Sequence, residues 1–344
     1  MPGSRLGRFD TLSLRQGPDV VSTFLDASQV GGKSIVRERP GSSATWFYAA
    51  PALLLLHLLL LAVIHSRPGR LGSVLWQFGP LALTGATIVA LAIGLVQALR
   101  RRLTWTPLRV VAYLVLVAMS YMPLAYRTYP SSRDGLPSQV PFRLPLDGLV
   151  TVVWGGSTRE VNYHVRGAAE RWAYDLLVKE DGSSFRTFGL VVSDYYTYGL
   201  PVLAPAGGTV WSVVDGEPDT RLGARSLLEG CGNRVVLEVA ASEFLFICHL
   251  KAGSVIVKEG QRVDRGQVVG RVGNSGNSTE PHVHVHLQTT PDAFGEGIPM
   301  YFHDYRDDAR FVHRGMPTGG PNRRVVEHVD RVFSDDLQGP PPGG

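Results

Sequence analysis

The chain has 344 residues, with 34 Lys and Arg against 30 Asp and Glu and a formal charge of +4, which excludes the strongly basic character of a nucleic-acid-binding protein. Apolar residues make up 44%, an ordinary globular share, but they crowd into the first 126 positions, so the average hides two unlike parts. With only Cys231 and Cys248, neither a disulfide framework nor a four-cysteine zinc knuckle can form, and any metal must be held mainly by histidines and carboxylates.

Residues 1–45 read as a polar N-terminal tail. Within it Gly32-Lys33-Ser34 looks like the end of a phosphate loop, but the glycine expected five residues earlier is Ala27 and no apolar strand leads in, so nucleotide binding is set aside. Three apolar runs follow, at about 46–64, 74–99 and 108–126. Each is near the ~20 residues needed to cross ~30 Å of hydrocarbon, and none shows the polar face of a soluble helix. They are predicted to be three transmembrane helices, the third being the shortest. His57, inside the first, is either a functional intramembrane group or a tolerated neutral one. The tail carries Arg5, Arg8, Arg15, Lys33, Arg37 and Arg39 and the second loop Arg100, Arg101, Arg102 and Arg109, whereas the first loop has only Arg67 and Arg70. Tail and second loop therefore belong inside, and with three crossings everything after Tyr126 lies outside the cytoplasmic membrane. The 45 residues before the first run are too long for a signal-peptide leader and no small-residue cleavage site follows Ile64, so the first helix is expected to stay as an anchor.

Residues 127–148 contain four prolines and read as an extended linker. From Leu149 to about 300, short β-type runs alternate with turn residues: LVTVVW, AYDLLV, GTVWSVV, NRVVLEVA, EFLFICHL, SVIV, QVVGRV and HVHVHLQ. Ala241-Ser242 joins two of them as a tight hairpin. The fold class is thus a multi-domain chain, an α-helical membrane region followed by an all-β, mainly antiparallel domain. Residues 301–344 turn polar and Gly/Pro-rich and read as a C-terminal tail, its last thirty residues mobile.

Three of the ten histidines fall in Pro281-His282-Val283-His284-Val285-His286. Strand alternation points all three the same way, with neighbouring imidazoles about 6–7 Å apart, close enough for two to act at one centre. His249 ends the strand EFLFICHL. Upstream, Asn162-Tyr163-His164 precedes a strand in which Asp175 stands among apolar neighbours. Such an aspartate is costly to bury unless it is paired or bound to a cation; the bland alternatives are a pair with Arg171 or a turn cap.

The stretch from Leu200 to Gln288, with PVLAPAGGTV, GNRVVLEVA and FLFICHLKAGSVIVKEGQRVDRGQVVGRVGNSGNSTEPHVHVHLQ, resembles the lysostaphin-like (LytM-type) zinc metallopeptidases that cut peptide bonds in bacterial cell walls. The resemblance implies that His284 binds zinc, that His282 is catalytic and that His249 is the second catalytic histidine. It implies His164 and Asp175 as the upstream ligands. The family's usual His and Asp are four residues apart, whereas these are eleven apart, as in a variant with Asn-x-His, a longer loop and an Arg-aromatic-Ala-x-Asp strand, here Arg171-Trp172-Ala173-Tyr174-Asp175. His286 stands where the family often has Glu or Gln and is kept out of the ligand set.

Two imidazoles and one carboxylate are a normal catalytic zinc set that leaves a position for water. No His-Glu-x-x-His occurs, so the helical zincin arrangement is excluded. The GNSGNST loop reads as a plain turn, with the alternative that its backbone lines the groove, while Tyr195, Tyr196 and Tyr198 either hold substrate or pack. The inferred register does not put Cys231 opposite Cys248, although an oxidising compartment would permit a bond. The expectation is a multi-pass protein of the bacterial cytoplasmic membrane, with an extracytoplasmic zinc endopeptidase domain, one Zn2+ per chain, and the lipid bilayer and peptidoglycan peptides as partners. The alternative is a non-catalytic LytM-like regulatory or wall-binding module that activates other hydrolases; missing ligands would mark it.

Overall fold

The computed structural model describes residues 43–66, 69–100, 106–121, 128–224, 230–308, 310–322 and 324–329. The expected tail up to residue 42, including Gly32-Lys33-Ser34, lies outside them. Three helices come first: α1 (Ser43–Ser66), α2 (Arg70–Leu99) and α3 (Pro107–Ser120). The start of α3 follows from local chemistry, since Thr106 Oγ1 accepts the Arg109 N–H at 3.4 Å and Pro107, which lacks an N–H to satisfy, occupies the first helical position. Two helices, Tyr48–Ser66 within α1 and Arg70–Leu99, are long and apolar enough to cross a membrane. At 14 residues α3 spans about 21 Å, short of a bilayer core, and residues 122–126 of the expected third span lie outside the described residues. Leu55, Leu59, Leu81 and Leu95 are exposed on these helices, whereas His57 turns inward and its Nδ1–H donates to Leu53 O at 2.9 Å.

Among the described residues twelve strands follow: β1 (Leu149–Trp154), β2 (Tyr174–Leu177), β3 (Pro201–Leu203), β4 (Gly208–Val214), β5 (Arg234–Ala240), β6 (Glu243–Cys248), β7 (Arg262–Val263), β8 (Val268–Arg271), β9 (Val283–Gln288), β10 (Phe302–Asp307), β11 (Arg310–Gly315) and β12 (Val325–His328). Ten of them form one antiparallel sheet in the order β11-β10-β12-β1-β2-β9-β6-β5-β4-β7, and β3 pairs with β8. The β5–β6 hairpin turns at Ala241-Ser242 as the sequence predicts, with Ser242 at φ 59°. SVIV forms no strand. One face of the sheet carries the core, in which Val150, Tyr174, Val235, Leu245, Val283 and Val285 have no exposed surface.

Two predicted boundaries are corrected. The segment expected to be a tail from 301 instead supplies β10, β11 and β12, and β12 pairs with β1, Val326 opposite Val150. Edge strands need bury only one side, so sequences as polar as RFVHRG can still join a sheet through their backbone. The segment expected to be a linker packs too: Phe142, Leu144 and Leu146 are buried in the core, and Phe142 O accepts the His303 N–H at 2.7 Å.

Cys231 and Cys248 form a disulfide with Cα atoms 5.0 Å apart. They are not a register pair. Cys231 reaches Cys248 from the turn before β5, where its carbonyl also accepts the His249 N–H at 3.0 Å. Converting both cysteines to serine is expected to lower the unfolding free energy by about 3 kcal/mol, the chain-entropy value for a loop of this size. Denaturant unfolding of the full chain in micelles reads this, and an unchanged midpoint would refute it.

Candidate metal centre

Strand alternation builds the site. On β2, Tyr174 and Leu176 enter the core, so Asp175 faces the other side; on β9, Val283, Val285 and Leu287 enter the core, so His284 and His286 face the side of Asp175. The β2–β9 register sets Asp175 directly opposite His284, which forces a carboxylate and an imidazole together on one face. His284 Nδ1 lies 2.8 Å from Asp175 Oδ1. His164 comes from outside the sheet, on a 3-10 turn Tyr163–Arg166, and its Nε2 lies 3.0 Å from Asp175 Oδ2. Asn162 shapes that turn: its side-chain oxygen accepts the His164 N–H at 3.1 Å, and its amide donates to Gly156 O and Ala173 O at 2.9 and 3.0 Å.

His249 follows β6 with φ 61°, a left-handed conformation that costs a non-glycine residue energy and recurs at functional sites. Its ring centroid is 4.7 Å from that of His282 and 5.7 Å from that of His284. His249 Nδ1–H donates to Ser275 O at 2.8 Å and His282 Nδ1–H to Glu280 O at 2.7 Å. In each ring the Nδ1 proton is committed to a carbonyl, which turns Nε2 toward the site; His282 Nε2 lies 3.6 Å from Asp175 Oδ1. The structure therefore brings His164, Asp175, His249, His282 and His284 to one place, none more than 9% exposed.

Burying a carboxylate is costly, and here three imidazoles offset the cost. Burial pushes the Asp175 carboxyl up, but His164 and His282 outweigh it and hold it well below the usual carboxylate range. Burial likewise opposes charge on His164, yet Asp175 outweighs that and lifts its pKa to about 10. His249 is pushed well below the ordinary value, first by burial and then by His282 and His284, so it is neutral. His282 moves up, because Asp175 more than offsets burial. The bland reading of Asp175 does not hold: Arg171 lies 3.7 Å from Asp134 and over the Trp172 ring, and among the described residues Asp175 makes ion contacts only with histidines.

The donor set fits a divalent transition metal. One ligand atom each from His164, Asp175 and His284 lies within 4.8 Å of the others. Bonds of ~2.05 Å at tetrahedral angles place ligand atoms about 3.3 Å apart, so small side-chain shifts suffice. His286 is not one of these three. Its Nδ1 is 2.9 Å from His284 Nε2, its Nε2 is 3.2 Å from Gln288 Oε1, and its ring stacks on Phe246. Burial and then His284 depress its pKa to about 3, which leaves it a neutral acceptor that can fix the His284 ring.

The structure bears on two readings that the sequence left open. The GNSGNST loop is more than a turn, because Ser275 O orients His249 and Ser278 Oγ lies 3.2 Å from His282 Nδ1. It fits against Gly232, where a Cβ would sit 2.5 Å from the Ser275 carbonyl carbon. The Tyr195, Tyr196 and Tyr198 cluster is engaged elsewhere: Tyr195 packs on Phe185, Arg186 lies over Tyr196, and Tyr198 donates to Asp219 at 2.7 Å. The aromatic walls of the site are instead Trp154 and Tyr163, which line a cavity of about 420 Å³ together with Asp175, Asn277, Thr279 and His282. Neither ring was singled out by sequence reasoning, and no local pattern marks them.

Residues 193–295 match Peptidase family M23. The matched segment contains His249, His282 and His284 and begins after His164 and Asp175. No curated protein matches the chain. Among solved structures, the chain is similar to a putative peptidase M23 from Pseudomonas aeruginosa, at 23% identity over 52% of this chain and 59% of that one, with a TM-score of 0.28. It is also similar to a zinc containing peptidase from Vibrio cholerae, at 22% identity over 47% of this chain and 41% of that one, TM-score 0.30. A third is the catalytic domain of the antimicrobial peptidase lysostaphin from Staphylococcus simulans, at 18% identity over 43% of this chain and 86% of that one, TM-score 0.25. The chain thus spans less than two thirds of the length of the first two.

Proposed function

We propose that this chain is a membrane-anchored, extracytoplasmic zinc metalloendopeptidase that hydrolyses peptide bonds of cell-wall peptidoglycan. The observation that carries the reading is the meeting of His164, Asp175 and His284 beside His249 and His282 in a domain with an M23 segment. His164 through Nε2, His284 through Nδ1 and the Asp175 carboxylate would hold the metal. Zinc supplies a Lewis acid for the scissile carbonyl and an acidified water as nucleophile. His249 and His282, their Nδ1 protons committed to Ser275 O and Glu280 O, offer Nε2 to take a proton from the nucleophile and, once protonated, to donate to the developing oxyanion. Trp154 and Tyr163 would flank the bound peptide.

The orientation has its own support. At the start of α2, Arg70 pairs with Asp292 at 2.9 Å and Ser73 Oγ donates to Gly295 O at 3.1 Å, so the α1–α2 connection and the β domain share one side. A chain that enters that domain after α3 then needs a third crossing. The deciding experiment is digestion of purified peptidoglycan by the full chain with and without a chelator, followed by zinc add-back. Release of new amino termini that stops with chelator and returns with zinc is expected; no release under any condition would turn the reading toward a non-catalytic wall-binding module.

Proton release on zinc binding gives a further prediction. A ligand imidazole must be neutral, and the metal-free His164, raised to about 10, carries a proton at pH 7.0, so zinc must displace about one proton there. Calorimetric zinc titration in buffers of different ionisation enthalpy is expected to show it, and no release would remove His164 from the ligand set. The same raised value makes the protonated pair a stabilising element of the metal-free chain, present in full below about 6.5 and lost as pH rises through about 10.

A further inference from the structure

The two imidazole ligands are anchored very differently. His284 lies in β9, hydrogen-bonded between β2 and β6. His164 lies in no strand: it belongs to the connection 155–173 between β1 and β2. A ligand on such a connection keeps its place only if something else fixes the backbone around it.

Four carbonyls in and beside the turn are held. His164 O accepts from Gly167 N, Val165 O from Tyr129 N and Ala168 O from Gly297 N, each at 2.8 Å. Arg166 O, two residues beyond the ligand, accepts the indole N–H of Trp76 at 2.7 Å. Trp76 stands on α2, six residues past Arg70, so a side chain from the helical region fastens the turn that carries His164. Its ring also meets Tyr129 edge-on at 5.5 Å, and Tyr129, Ala168, Leu60 and Ile64 form a small apolar cluster against which Trp76 packs. The same end of α2 grips the neighbouring loop through Arg70–Asp292 and Ser73–Gly295. The β domain does not close this loop alone.

We propose that Trp76 is a positioning residue for His164, and that the start of α2 is thereby part of the scaffold of the metal centre. The inference rests on the reading of His164 as a metal ligand. Without the indole N–H the turn samples positions in which His164 Nε2 is withdrawn from Asp175, and apparent metal affinity falls by the fraction of time the ligand set is complete. Outer partners of metal ligands are typically worth 10–100-fold in affinity, and one held carbonyl belongs at the lower end of that range.

The test uses the full chain in micelles, with zinc affinity measured by competition with a chromophoric chelator and with Co2+ as a spectroscopic probe. Trp76→Phe keeps a ring and removes the N–H; roughly a 10-fold loss of zinc affinity is expected, together with a change in the visible Co2+ bands toward those of His164→Ala. A role confined to folding would lower the melting temperature and leave the Co2+ bands alone. If Trp76→Phe fails to fold, benzothienylalanine at position 76, which replaces the N–H by sulfur at nearly constant shape, carries the same expectation. Wild-type affinity and wild-type bands in a folded variant would overturn the proposal while sparing the metal centre. A wild-type chain that takes up neither zinc nor cobalt would overturn the metal reading itself.

Discussion

Replacing His284 by alanine is expected to reduce zinc content from about one per chain to near zero. His284 stands between both other partners: its Nδ1 is 2.8 Å from Asp175, its ring centroid is 4.8 Å from that of His164, and strands on both sides fix its backbone. Removing it leaves His164 and Asp175 to satisfy one another as a 3.0 Å ion pair, an arrangement that competes with metal instead of holding it. Loss of a direct ligand should exceed the 10–100-fold that outer partners cost, so affinity is expected to fall at least 100-fold. The fold should survive, because the core under β9 is built by Val283, Val285 and Leu287 on the opposite face. Metal analysis alongside circular dichroism reads both quantities. One zinc per chain retained in His284→Ala would place the metal elsewhere.

His249→Ala and His282→Ala should do the reverse, keeping zinc and losing turnover. Neither ring belongs to the group whose ligand atoms converge within 4.8 Å, yet both sit against it with Nδ1 committed to a carbonyl. Proton transfer by a positioned imidazole is typically worth 10²–10⁴-fold, and loss of an oxyanion donor 10²–10³-fold, so kcat is expected to drop by about 10²–10⁴ in each variant. Because His249 is buried and neutral while Asp175 lifts His282, the two are not interchangeable. Peptide release measured together with metal content tests this pair of variants; zinc lost in step with activity would make them ligands.

Much of the site was legible because it is written in strand periodicity. His282, Val283, His284, Val285 and His286 can alternate faces in only one way on a strand, and the same rule turns Asp175 away from Tyr174 and Leu176. What did not show was anything set by contacts between distant segments. The polar run from 301 to 315 looks like a tail until pairing between β10 and β11 and with β12 is available to it. The disulfide was left open because Cys231 arrives from a turn, where strand register says nothing. Trp154 and Tyr163 carry no pattern that distinguishes a cavity wall from a core residue, and Ser275 acts through a backbone carbonyl that any residue would supply.

The sequence by itself determined the apolar helices, the β character of the second part and the shared face of the histidines, because these depend on neighbours a few residues apart. Only the tertiary structure decided that His164, eleven positions from Asp175 and on no strand, reaches the same point. That outcome depends on how a long connection is pinned, by Asn162 within it and by Trp76 and Tyr129 from outside, and such pinning is a balance of contacts between segments that no local period encodes.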